Sequence, residues 1–208
     1  MAIRWIGATV SLASAMAFLG MMVWLKVQPL PHVDGPAICQ FEEGFSTDFL
    51  GTDDYLTLEV LSRFREARLT DESYADGITY RFILMPSFDP PILIQAQKNT
   101  NGTSLMTKIL DGYGMEEFGP LRVHEKRSLT QDEWNGLIQL LEVTHFWCES
   151  GINRLDKPVH DGALWQLSER DGRYRRLERL TPNPDTLKAF RYFLRLSGRE
   201  QDYEGYWS

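Results

Sequence analysis

The sequence predicts an α+β domain, an antiparallel sheet of about five strands with two hairpins and with helices packed on one face, preceded by one N-terminal transmembrane helix. Three observations predict the domain. Ile78, Tyr80, Phe82 and Leu84, and again Ala163, Trp165 and Leu167, recur with the two-residue period of half-buried strands. Asn99-Thr100-Asn101-Gly102 and Asp171-Gly172 are the residues that tight hairpin turns require, because glycine and asparagine tolerate positive φ. Thr130 and Glu133 form a capping box ahead of Trp134, Leu137, Ile138 and Leu141, one apolar face of a helix running to Phe146.

Composition bounds the rest. At 208 residues, with 43% hydrophobic and 25% charged side chains, the chain has the content of one globular domain with a proper core and no low-complexity tract. Beyond residue 29 it carries 20 basic against 29 acidic side chains, which disfavours nucleic acid as a partner. The charge is uneven: residues 30–161 hold 11 basic and 22 acidic side chains, whereas 162–199 hold 9 and 4. The second hairpin lies in this positive part.

Trp5 to Leu25 is an uncharged apolar run, about 31 Å long as a helix, which spans a bilayer core. A cleaved signal peptide, with Ala13-Ser14-Ala15 as its small-residue site, is the competing reading and would leave a secreted or periplasmic domain. The run continues ten residues past that site, to Leu25, which favours a single-pass anchor over residues 1–27. Arg4 and the α-amine outweigh Lys26, so the C-terminal domain is expected outside the cytoplasm. Residues 28–40, with three prolines in QPLPHVDGP, read as an extended spacer, residues 41–200 as the α+β domain, and the acidic, aromatic 201–208 as a loose tail.

Within the domain, Asp54 to Leu69 has the spacing of a helix with Leu56, Val60, Phe64 and Ala67 near one face. The strands ITYRFILM, ILIQAQK, SLMTKIL and LRVHEKRS follow, the first stopped by Pro86. After the capped helix comes a polar loop over 149–160, then the hairpin DGALWQLSERDGRYRRLERLTP, then a last helix from Asp185 to Ser197 ended by Gly198.

Several pieces carry a resemblance: Tyr80-Arg81-Phe82 with Ser87-Phe88, Leu110-Asp111-Gly112, Leu129-Thr130 to Trp134, Phe146-Trp147, Asp161 to Trp165, Tyr174 to Pro182, and Leu194 to Gly198. Through them, residues from about 79 to 198 resemble a family of uncharacterised bacterial proteins. The resemblance implies that these stretches form one domain; it brings no reaction and no functional residue.

The chemistry-bearing residues do not assemble into a catalytic motif. His124, His145 and His160 have no metal-ligand spacing, so no metal or cofactor is predicted. Ser87 and Ser150 lack a nucleophile elbow, and the glycines form no phosphate-binding loop. His160 with Asp161, or Asp111, could serve acid/base work, but each Asp-Gly step is accounted for by turn and capping chemistry. Cys39 and Cys148 are the two cysteines and a disulfide candidate on the expected extracytoplasmic side, with separate thiols the alternative. Arg173, Arg175 and Arg176, with Tyr174 and Trp165, offer planar donors and aromatic faces to a carboxylate or protein partner. The opposing reading pairs these arginines with the chain's own carboxylates. The function expected from the whole is a membrane-anchored extracytoplasmic domain that binds a protein or an acidic envelope component; an enzyme with a site near Asp161 and His160 or Asp111 is the alternative.

Overall fold

The computed structural model describes residues 55–113, 117–144, 146, 152–153, 163–171, 173–180 and 182–206, without the side chains of 55, 56, 117, 152, 153, 173 and 175. The expected anchor, the spacer, Cys39, Cys148, His145, Ser150, His160 and Asp161 lie outside the described residues. Among the described residues, no helix is long and apolar enough to cross a membrane.

The fold class is α+β. A short helix, α1 (Tyr55–Phe64), leads into β1 (Ile78–Pro86), β2 (Ile92–Asn99), β3 (Gly102–Tyr113) and β4 (Glu117–Ser128). Then follow α2 (Gln131–Val143), β5 (Ile152–Asn153), β6 (Ala163–Asp171), β7 (Arg173–Arg179) and α3 (Pro184–Leu196). The strands lie in the order β4-β3-β2-β1-β6-β7-β5, antiparallel throughout except for β5 beside β7. The sheet is therefore larger than the five or so strands expected. The 149–160 loop contributes β5, two residues too short to carry a periodic signal.

Alternation sorts the strands into two faces. Tyr80, Phe82 and Leu84, with Ile92, Ile94, Trp165 and Leu167, bury one face against α2 and α3. At its centre Trp165 stacks on Phe190 with centroids 5.4 Å apart, and Phe82 on Phe193 at 5.6 Å. The helix boundaries follow from their caps. The Thr130 hydroxyl accepts from the Glu133 amide while the Glu133 carboxylate accepts from the Thr130 amide, and Asn183 accepts from the Asp185 and Thr186 amides.

The expectation of helices on one face is corrected by α1. Its Val60, Leu61 and Phe64 pack with Ile83, Met85, Leu93, Leu110 and Leu164, the alternate residues of the same strands. In β1 the second set holds Ile83 and Met85 beside Thr79 and Arg81 and is buried as well, so both faces need a cover. The helix also stops before Leu69. Arg65, at φ 55°, takes the left-handed position after the last turn; its amide donates to Ser62 O and the Glu66 amide to Leu61 O, the paired bonds of a Schellman cap. Ala67, expected on the apolar face, is exposed beyond that cap.

Two further expectations change. Asp111-Gly112 makes no turn; it lies inside β3 where the register against β4 shifts, with Gly112 at φ 102° taking the bulge conformation. The tail is not loose over Gln201–Tyr206, two short 3-10 turns that meet at a kink at the buried Tyr203. Tyr203 donates to Pro90 O and Tyr206 to Asp89 Oδ2, both at 2.8 Å, while Glu200 accepts from Arg191 and Arg195. Burial and the bond to Asp89 push the Tyr206 phenol up to about 12, so it remains a donor across the physiological range.

Candidate functional site: a polar face beneath α1

On the face covered by α1, each central strand contributes polar side chains at positions where alternation points into the interior. Arg81 pairs in register with Gln95 of β2 and Ser168 of β6, and Ser168 with Arg176 of β7. One pair along lie Lys108 on β3, Gln166 on β6 and Glu178 on β7. Among the described residues this face of the sheet thus carries three buried or nearly buried cations, Arg81, Lys108 and Arg176, beside the apolar cluster of α1.

Their counter-charges come partly from the segment after α1. The Glu66 carboxylate accepts from Lys108 Nζ, from the Tyr74 hydroxyl at 2.7 Å and from Arg81 Nη2 at 3.5 Å. Arg81 also donates to Ala67 O at 2.8 Å, to Gln95 Oε1 at 2.9 Å and to the Tyr74 hydroxyl at 2.9 Å. Lys108 Nζ donates to Phe64 O at 2.9 Å, which places a cation on the unsatisfied carbonyls of the α1 C-terminus, where the helix dipole is negative. Burial pushes the Tyr74 phenol up, keeping its proton available to Glu66. Removing either partner of such a pair strands a desolvated charge, so the network locks the 65–74 segment onto the sheet.

The arginine hairpin meets this network. Arg176 pairs with Glu178 two residues on and donates to Thr57 Oγ1 at 2.9 Å in the first turn of α1. With its amide oxygen toward the guanidinium, Gln166 accepts from Arg176 Nε at 2.8 Å. Arg179 is buried and donates to Glu178 O at 2.8 Å. Tyr174 is half-buried and lines, with Thr57, Arg81, Gln166 and Ser168, a cavity of about 10 Å³, the room of about one water.

Of the five residues expected on a partner surface, Trp165 is 1% exposed and belongs to the core of the opposite face. The two-residue period that makes it a good strand residue also turns it inward, away from Arg176. Arg176 is engaged within the chain. The side chains of Arg173 and Arg175 lie outside the described residues. Asp111 forms a surface ion pair with Arg122 at 3.4 Å. On the apolar face Glu169 is buried opposite Tyr80, whose phenol is pushed up by burial and by that carboxylate.

Glu66, Arg81 and Lys108 were not singled out in the sequence, although a signal exists. Arg81 and Lys108 interrupt otherwise apolar strands on a face where their neighbours Ile83, Met106 and Leu110 point inward, and a charge at such a position demands a buried partner. Glu66 offers no comparable sign, because it follows the end of α1. Among the described residues, no group of three or more His, Cys, Asp and Glu side chains is placed to hold a metal ion. The chain matches no protein-family model and no curated protein.

Proposed function

We propose that this chain is a membrane-anchored extracytoplasmic domain that binds a protein or an acidic envelope component and does no chemistry on it. The observation that carries the binding reading is the consumption of the polar groups beneath α1 by one another: Glu66, Arg81, Lys108, Arg176 and Glu178 are engaged within the chain, and the cavity that Arg81 lines with Gln166 and Ser168 holds only about 10 Å³. Attachment rests on the uncharged run from Trp5 to Leu25, and orientation on Arg4 against Lys26. The resemblance of residues from about 79 to 198 to a family of uncharacterised bacterial proteins supports treating the sheet with α2 and α3 as one module; α1 lies outside it.

Fractionation of cells expressing the full chain tests the anchor. It is expected to stay with membranes through alkaline washing and to be digested by protease added from outside the cytoplasmic membrane. Recovery in the soluble fraction with a new N-terminus would replace the anchor by a cleaved signal. Crosslinking in intact cells tests the binding reading, which expects a defined covalent partner on the domain; substrate turnover by the purified chain would overturn it.

A further inference from the structure

We infer that β4 is a docking edge for an acidic, extended segment of a partner protein, which adds to the sheet as an eighth strand. The inference rests on the reading of the chain as a binding domain and is independent of its membrane attachment. Among the described residues β4 ends the strand order, with β3 on one side only. The Leu129 amide donates to Thr103 O at 3.1 Å, so alternation directs the amides of 127, 125 and 123 toward β3. Those of Ser128, Lys126 and His124 consequently point outward. The Ser128 carbonyl is taken by Arg127, whereas Lys126 and His124 have no hydrogen bond among the described residues. Both are exposed and lie in β4 beyond the register shifts, which fall between Phe118 and Val123, so this part of the ladder is regular.

The side chains select the occupant. On one face of β4, Arg127 is tied to Glu133 and Leu196 O, and Glu125 to Arg199. On the other, His124 and Lys126 lie across from Lys108 and Met106, beside no acidic residue in register. A second copy paired antiparallel here would set these basic side chains beside their equivalents, which disfavours self-association. An extended peptide with carboxylates at alternate positions would instead satisfy the outward amides and carbonyls and place its charges beside His124 and Lys126.

The test uses the full chain in detergent and a synthetic peptide alternating glutamate and valine, with the glutamine counterpart as control. Expected are saturable binding of the glutamate peptide, about tenfold weaker binding of the glutamine peptide, and slowed hydrogen exchange at the His124 and Lys126 amides. Lys126→Pro removes an outward donor at an edge position that tolerates proline, and Lys126→Glu reverses the charge; each should weaken binding by about tenfold or more. No binding, equal binding of the two peptides, or a Lys126→Pro variant that folds and binds normally would overturn the inference. If Lys126→Pro fails to fold, amide exchange in the unaltered chain decides, because unchanged exchange at His124 and Lys126 rules out strand addition. A chain that stays in the membrane fraction but ignores the peptide sinks the β4 edge and leaves the anchored-domain reading standing.

Discussion

The two faces of this sheet bury similar backbone by different means. Under α2 and α3, Phe82, Trp165, Phe190 and Phe193 stack into a continuous apolar core. Under α1, a smaller apolar cluster is joined to Arg81, Lys108, Arg176, Glu66 and Glu178. Apolar packing is non-directional and tolerates volume-conserving exchange, whereas an ion network depends on every member being present. The first face should therefore set most of the global stability, and the second should decide whether the segment from α1 to Tyr74 is in place.

The largest effect is expected from Trp165→Ala, which removes the centre of the aromatic stack and should cost about 4 kcal/mol in urea unfolding. A loss much below this would mean that the faces contribute more equally. On the other face Glu66→Ala leaves Lys108 and Arg81 short of their counter-charge and should cost about 3 kcal/mol. Pairing Glu66→Leu with Lys108→Met should recover only the part of that loss due to Lys108, since Arg81 keeps its buried charge without the Glu66 carboxylate. If Glu66→Ala costs under about 1 kcal/mol, the pair behaves as an exposed one and the contrast between the faces fails.

Arg65→Gly sharpens the same comparison in the opposite direction. It relieves a left-handed non-glycine residue at the α1 cap and should stabilise the domain by about 1 kcal/mol, read as a raised unfolding midpoint. The smallest effect is at Glu133, outside both networks. Hydrogen bonds from the Arg127 guanidinium and the Thr130 amide hold its carboxyl down at about 2, from an ordinary value of 4.5. Because the folded state binds the proton less readily than the unfolded one, its contribution is full above about pH 4.5 and is lost as pH falls toward 2. The Tm difference between the chain and Glu133→Gln should accordingly be present at pH 6 and shrink progressively below pH 4.5; a difference that is constant with pH would show that the carboxylate charge does not act.

Much of the domain was legible because its signals are local. The capping box at Thr130 and Glu133, the alternation through Phe82 and Trp165, and the turn from Asn99 to Gly102 depend on residues within a few positions of one another. The candidate site was not. Glu66 meets Lys108 across 42 positions, and Thr57 meets Arg176 across 119, so pairing Arg176 inside the chain required a helix from the far end of the sequence. The same distance explains why Trp165 and Arg176, neighbours on one hairpin, were grouped as one surface. Periodicity assigns them to opposite faces, but only the presence of a cover on each face shows that neither side chain is offered to a partner.

The sequence by itself determined the α+β class, the strands with their inward sets, the capped helices and the charge asymmetry, because propensity, capping and alternation act over a turn or a strand. The tertiary structure alone decided which face each helix covers, where the buried cations find their carboxylates, and in what order the described strands lie. Those outcomes depend on strand order and on contacts between distant segments, and a two-residue period marks two faces without specifying what packs on either.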